Sequence, residues 1–308
     1  MKINFHRPKN HLTRAKLIFN PISGTPEESP GQLMTILTEM QALELAPEVH
    51  LIQPGKELQP VIEEALQREI RLFVVSGGDG TVDSVASMLA GTQAVLGIIP
   101  TGTQNNVALS LEIPTDIPAA VALLRKGHLA RVDMGMAECA GVRRPFLEVC
   151  SVGLLSALFP AADDIQHGNL ARIGDLLATL VNAPIANMHL VLDRKEEIHT
   201  QGHVVLVTNM PFLGPHYRVA GQDSYQNGLL EILIFANLTK LDLIGAVVGT
   251  AGSIPEDPRI HRYRVRQVEI ETTPPMPVLV DGVMRGEGLL KINVQRGSLA
   301  VMTGRKLK

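Results

Sequence analysis

The sequence predicts an α/β protein in two parts: a parallel sheet wrapped by helices, then a mainly β domain. Three observations carry this. Over residues 15–127 short apolar runs alternate with segments of helical spacing, the pattern of strands joined by crossover helices. Two of those runs, LFVVS (72–76) and AVLGIIP (94–100), are apolar almost throughout, as in strands covered on both faces. After about residue 130 the texture changes to short strand-like runs separated by turns.

The elements follow in order. Residues 1–14 are polar, lack the apolar core of a signal peptide and read as a flexible tail. AKLIFN (15–20) is a strand and PISGTPEESPG a loop. QLMTILTEMQAL is a helix, EVHLI a short strand and ELQPVIEEALQRE an amphipathic helix. LFVVS leads through glycines into the helix TVDSVASMLAG. AVLGIIP leads through a second glycine turn into NVALSL. PAAVALLRKG is a helix that Gly127 should stop. The second part reads RVDMGMAE, PFLEVCSVG, NMHLVLD, HVVLVTN, GLLEILIF, RVRQVEIET, PVLVDG, LLKINV and SLAVMTG as strands. ARIGDLLATLVNA and LTKLDLIGAVVG are helical interruptions.

Composition narrows the function classes. Of 308 residues 45% are hydrophobic, 19% charged and 3% aromatic, so a large aliphatic core is expected. A net charge of −3 gives no footprint for bulk nucleic-acid binding. Two cysteines, Cys139 and Cys150, are too few for a disulfide framework and read as free buried thiols in a cytoplasmic protein. The most apolar long window, 176–192, is interrupted by Asn182, Pro184, Asn187 and His189, so any membrane contact should be peripheral. The ten histidines show no HExxH or similar ligand spacing, and no zinc is expected.

Chemistry concentrates where strands end. In RLFVVSGGDGTVDSVASML (71–89) a strand passes through Gly77, Gly78 and Gly80 into a helix. Such a turn presents backbone N–H groups at the positive end of a helix, a site for anions and for phosphate above all. Thr81 can donate to a phosphate oxygen or cap the helix. Asp79 is unusual there: a carboxylate beside a phosphate needs a cation between them or a proton to take, unless it only caps a helix. The next strand exit carries Thr101, Thr103 and Asn105, and the first carries Asn20, Ser23 and Gly24. Ligands of parallel sheets bind beyond such carboxyl ends.

FNPISG (19–24), VVSGGDGTVDSV (74–85), GIIPTGTQNNVALSLEIP (97–114), VVLVTNMPFLG (204–214), NGLLEILIF (227–235) and VLVDGVMRGEG (278–288) occur in this order along nearly the whole chain. Together they resemble the diacylglycerol kinase catalytic-domain superfamily, which includes bacterial soluble lipid kinases and sphingosine kinases. GGDGT alone is shared with NAD kinases; GGDGT followed by P-x-G-T-x-N is more specific for lipid kinases. No Walker A motif is present.

The resemblance implies a Rossmann-like nucleotide-binding domain (15–130) and a β-rich lipid-acceptor domain (131–296), with ATP in the cleft between them. A final strand near 297–308 often returns to the first domain. It implies ATP- and Mg²⁺-dependent phosphorylation of a lipid hydroxyl, diacylglycerol-like or sphingoid-like, at a membrane surface. Gly77, Gly78, Asp79, Gly80, Thr81, Val82 and Thr103 would hold phosphates, with Asn20 and Asn105 nearby and Asp79 working with Mg²⁺.

The chain also departs from the family pattern. The late Asp-Gly-Glu, whose Glu is regarded as the general base, is Asp281-Gly282-Val283 here, leaving Asp281 and Asp79 as catalytic candidates. Glu287 should lie across the hairpin turn. An Asp-Gly that helps hold structural Mg²⁺ in bacterial members is Asn227-Gly228, a weaker metal ligand. The Asn-Glu after GGDGT is Asp83-Ser84, and the Asn-Asp after P-x-G-T is Asn105-Asn106. The Gly-Phe-Asp-Ala element is matched by Gly153-Leu154-Leu155-Ser156-Ala157, without its acid. Three readings stand: a divergent lipid kinase, a nucleotide-binding protein of the same fold with little transfer activity, or a soluble-substrate kinase of NAD-kinase type. For the acceptor, 154–165 and 241–255 are apolar enough to line a groove. Arg259, His261, Arg262, Arg264 and Arg266 could meet anionic head groups or form the outer face of a strand.

Overall fold

In a computed structural model, which describes residues 12–153, 185–214, 217–239, 242 and 257–304, the first strand β1 (Thr13–Phe19) runs parallel to β2 (Leu45–Leu51) and to β3 (Leu72–Gly77). It starts two residues before the expected strand because Thr13 and Arg14 pair with Leu45 and Ala46. β3 in turn pairs in parallel with β4 (Val95–Pro100), and both are buried at every position. That burial is why they read as continuous apolar runs. On the far side of β4 lies the end of β17 (Leu290–Thr303), with Ala300 opposite Val95 and Val301 opposite Leu96.

Five helices connect these strands: α1 (Ser29–Ala42), α2 (Gln59–Gln67), α3 (Asp79–Leu89), α4 (Asn106–Ser110) and α5 (Ile117–Lys126). Pro30 and Pro60 sit in the first turns of α1 and α2, where a missing N–H costs nothing. Helix α5 is started by Asp116, whose carboxylate accepts from Ala119 N at 2.9 Å, and is stopped at Gly127. Helices α1 and α5 pack on one another, as do α2 and α3, two groups that cover the sheet.

The chain divides into two compact units, Met1–Val132 with Gly297–Lys308, and Asp133–Arg296. In the second, strands pair antiparallel. β5 (His128–Cys139) pairs with β6 (Val142–Phe146), and β7 (Val149–Gly153) with β9 (Glu196–Thr208). β9 also pairs with β8 (Ala186–Leu192) and with β12 (Leu230–Ala236). β12 takes β13 (Ile260–Val265) and β8 takes β14 (Gln267–Thr273), which lies against the start of β17. The hairpin β15 (Pro277–Val280) to β16 (Val283–Glu287) joins the edge of β7. A short pair, β10 (Phe212–Leu213) with β11 (Tyr217–Arg218), stands apart. Along β9 the side chains alternate between two apolar clusters. Val205 and Val207 join Cys150, Leu190 and Ile232, while Val204 and Leu206 join Leu213, Leu233 and Phe235.

Two expected strands are split, each by an aspartate. The run PFLEVCSVG breaks at Leu147 and Glu148, whose N–H groups point to the Asp281 carboxylate rather than to a neighbouring strand. RVRQVEIET breaks at Arg266, where Asp193 Oδ1 accepts from the N–H groups of Arg266 and Gln267. Conversely, LLKINV and SLAVMTG are one fourteen-residue strand, with Gly297 at φ +55° accommodated inside it. The expected helices 171–183 and 238–249 and the apolar segments 154–165 and 241–255 fall mostly or wholly outside the described residues. Among those residues no helix is long and apolar enough to cross a membrane.

Candidate active site: a cluster of glycine-rich strand exits

In the first unit the ends of β1, β3 and β4 are tied together by small polar side chains. Asn20 Nδ2 donates to Thr81 Oγ1 at 2.9 Å, while Asn20 Oδ1 accepts from Ile22 N at 3.2 Å. The hydroxyls of Ser76 and Thr101 lie 3.2 Å apart, and Thr101 N donates to Gly77 O. Gly78 and Gly102 bring two turns into backbone contact. A Cβ on Gly102 would collide with the Gly78 Cα, and one on Gly78 would lie 3.3 Å from the Gly102 Cα and 3.5 Å from Ser23 Oγ. A Cβ on Gly77 would come within 2.8 Å of the Thr81 side chain. These glycines are needed by the protein's own packing.

Gly80 is different. It lies in the first turn of α3, its φ is not positive, and a Cβ there would meet nothing within 4 Å. Nothing in the described protein requires glycine at this exposed position. The N–H groups of Thr81 and Val82 both go to Gly78 O, whereas those of Gly78 and Gly80 have no acceptor among the described residues. Of the backbone donors expected to hold phosphate, Gly78 and Gly80 are therefore left without an acceptor among the described residues, at the positive end of an eleven-residue helix. Thr81 Oγ1 already accepts from Asn20, so its own proton is left to give away.

Asp79 is held in a fixed orientation. Its Oδ2 accepts from Asn106 N at 3.0 Å and its Oδ1 from Val107 N at 3.1 Å. It thus caps α4, the helix after the second glycine turn, and not the helix it opens. Asn105, left-handed at φ +54°, folds its amide back on Gly102, accepting from its N–H at 3.0 Å and donating to its carbonyl at 2.7 Å. Asn105 shapes the loop on which the exposed Thr103 is displayed.

The other two expected site residues belong to the second unit. Asn227 is exposed, and its Oδ1 accepts from Leu229 N at 2.8 Å in a local turn. Asp281 closes the β15–β16 hairpin at φ +43° and accepts from Leu147 N, Glu148 N and Val149 N at 2.9, 3.1 and 3.0 Å. Burial pushes its carboxyl up to about 6, against the pull of those three donors. Its carboxylate clamps the hairpin to the break between β6 and β7, a structural task. Val283 begins β16 with 49% of its surface exposed. Burial, and then the nearby Asp281 charge, raises the Cys150 thiol, and both cysteines are buried and free. Three arginines of the basic run have partners. Arg259 bonds Asp257 and Asp242 just before β13, while within β13 Arg264 bonds Glu231 and Arg262 donates to Val219 O.

Ser76 and Gly102 were not singled out from sequence. Ser76 carried a signal, as the polar residue at the exit of an otherwise apolar strand.

A parallel sheet with helices in one unit and mostly antiparallel strands in the other is the mixed α/β architecture of this class of kinase-family fold. The chain belongs to the diacylglycerol kinase catalytic-domain superfamily. The sequence model of the diacylglycerol kinase catalytic domain matches residues 14–137, and that of the YegS C-terminal NAD kinase beta sandwich-like domain matches 164–303. A diacylglycerol kinase of Staphylococcus carnosus is 25% identical over 285 residues, covering 89% of this chain and 90% of its own. One of Bacillus subtilis is 26% identical over 285 residues, covering 89% and 91%. The fold matches the crystal structure of a diacylglycerol kinase from Bacillus anthracis with a TM-score of 0.72 at 21% identity, over 96% of this chain and 98% of that one.

Proposed function

We propose that this chain is an ATP-dependent lipid kinase that phosphorylates a hydroxyl of a diacylglycerol-like or sphingoid-like acceptor at a membrane surface. The observation that carries the nucleotide site is Gly80: a residue with no side chain, an N–H without an acceptor among the described residues and open space where a Cβ would lie, beside turns that are otherwise tightly tied. Backbone approach of a phosphate chain explains all three. Gly78 N–H, Gly80 N–H and the Thr81 hydroxyl would bind phosphate oxygens, and Thr103 would reach them from the neighbouring turn. Asp79 would hold Mg²⁺, which when bound with the nucleotide neutralises phosphate charge.

In the reaction the acceptor oxygen would form a bond to the γ-phosphorus of ATP, the bond from that phosphorus to ADP would break, and the hydroxyl proton would pass to the Asp79 carboxylate or to solvent water. Such transfer depends mainly on positioning and charge neutralisation, so a missing glutamate need not abolish it. Asp79 is the residue we assign to the proton or the metal. Asp281 is left with its structural clamp. The test is incubation of the protein with labelled ATP and a total lipid extract, followed by separation of labelled lipids; a labelled lipid that depends on Asp79 is expected.

Val283 favours a second reading, in which nucleotide binds and no transfer follows, because an exposed valine stands where the family carries its base. Saturable ATP binding with no labelled lipid would select that reading.

A further inference from the structure

On the second unit, β14, β8 and β9 turn a polar face outward, and across it Glu271, His189 and His199 lie in direct register. His189 and His199 stack, with ring centroids 4.4 Å apart and planes 3° from parallel. Glu197, two residues before His199 on the same face of β9, brings Oε2 to 3.5 Å from His189 Nε2 and 3.7 Å from His199 Nε2. The three ligand atoms lie within 4.8 Å of one another, and His189 Nε2 is shut from solvent without a hydrogen bond. His189 and His199 line a pocket of about 610 Å³ whose wall also carries Glu271, Asn187 and Gln201.

We propose that His189, His199 and Glu197 form a binding site for a borderline divalent cation of the Zn²⁺ type. Two imidazole nitrogens lie beside one carboxylate oxygen, an arrangement that protons on the rings can bridge and that a single shared cation satisfies equally. Zn–N and Zn–O bonds of roughly 2.0–2.2 Å at a tetrahedral angle separate ligand atoms by about 3.3–3.6 Å, close to the two separations found. Closing on the metal needs only that the parallel rings tilt toward each other. The fourth position faces the pocket, where water or the Glu271 carboxylate completes the set, and two glutamates balance the charge. Imidazole donors favour Zn²⁺ over Mg²⁺, which takes oxygen ligands. This site is therefore independent of the nucleotide site. Bound metal would clip β8 to β9 on the open face of the sheet. The sequence hides it because the hairpin, and not helical spacing, brings residues ten apart together.

The test is calorimetric titration of the full chain with ZnCl₂ and separately with MgCl₂, with Co²⁺ absorption as a second readout. One Zn²⁺ per chain is expected at this site, and no Mg²⁺. His199→Ala and Glu197→Gln should each weaken it by roughly tenfold or more, since even the outer partners of zinc ligands are worth 10–100-fold. His128→Ala, an exposed histidine elsewhere, should leave it unchanged. Both site variants lie on a solvent-facing strand, and unchanged circular dichroism would show that they fold. Zn²⁺ binding that is absent in the wild type, or equal in wild type and both site variants, overturns the proposal.

Discussion

Asn20 donates its side-chain amide to the hydroxyl of Thr81 at 2.9 Å, tying the exit of β1 to the first turn of α3. The bond fixes which way the threonine proton can point. Asn20→Ala should leave the fold intact and weaken nucleotide binding by about 1 kcal/mol, the worth of one ordering hydrogen bond. Calorimetric titration with Mg-ATP measures it. An unchanged dissociation constant would separate Thr81 from the phosphate site.

Gly80 and Gly102 should respond in opposite ways to the same change. Gly80→Ala adds a methyl in open space on a helix, so stability should stay level or rise by up to about 1 kcal/mol while nucleotide affinity falls. Gly102→Ala drives a methyl into the Gly78 backbone and should cost about 1–3 kcal/mol of stability. Denaturant unfolding beside nucleotide titration reads both. Undiminished affinity in Gly80→Ala would remove the main support for the phosphate site.

Asp79→Asn should lower lipid-dependent turnover much more than nucleotide affinity, because the amide keeps one acceptor for the α4 N–H groups but loses the charge. A parallel loss of both would mean that Asp79 serves only to shape the turn.

Asp281 has a folded-state carboxyl raised from its ordinary 3.8 to about 6 by burial. Folding therefore favours its protonated form. Its contribution to stability is fully present below about pH 4 and is lost as pH rises through about 6. Asp281→Asn should remove that part of the pH dependence between 4 and 6, seen by denaturant unfolding at each pH. Asp281→Ala, which strands three N–H donors, should lower stability by about 2–4 kcal/mol at every pH. An identical slope in wild type and Asp281→Asn would assign the titration elsewhere.

Val283→Glu restores a carboxylate after Asp281-Gly282. With the valine half exposed, the new charge should change stability by no more than about 0.5 kcal/mol. If the chain is a weak kinase, turnover should rise toward the roughly 10²–10⁴-fold that a general base supplies. A fully active wild type slowed by this change would show that another group already takes the proton.

The two-part α/β class and the glycine cluster were readable because their signals are local. Gly77 to Thr81 and Thr101 to Asn105 sit within a few residues of the apolar strands that aim them. What escaped depends on partners far away in sequence. The break at Leu147 and Glu148 exists because Asp281, more than 130 positions on, captures their N–H groups. The same capture makes Asp281 a clamp, where a carboxylate next to a missing glutamate looks from sequence like a base. Asp79 hid in the same way: its cap is on α4, and the residues it bonds follow a second turn. Gly80 and Gly102 look alike in sequence, and only the surrounding space separates a glycine the fold needs from one it does not.

The end of β17 gives β4 its second neighbour, through Ala300 and Val301. The first unit therefore cannot finish its sheet when its own first 132 residues have left the ribosome. At a few to twenty residues per second, β4 waits on the order of tens of seconds with one apolar edge unpaired until residues beyond 300 emerge. An unpaired edge of this kind is a template for the wrong strand. Translation speed through the intervening segment, and chaperone access to that edge, should govern how much of this chain reaches its native state.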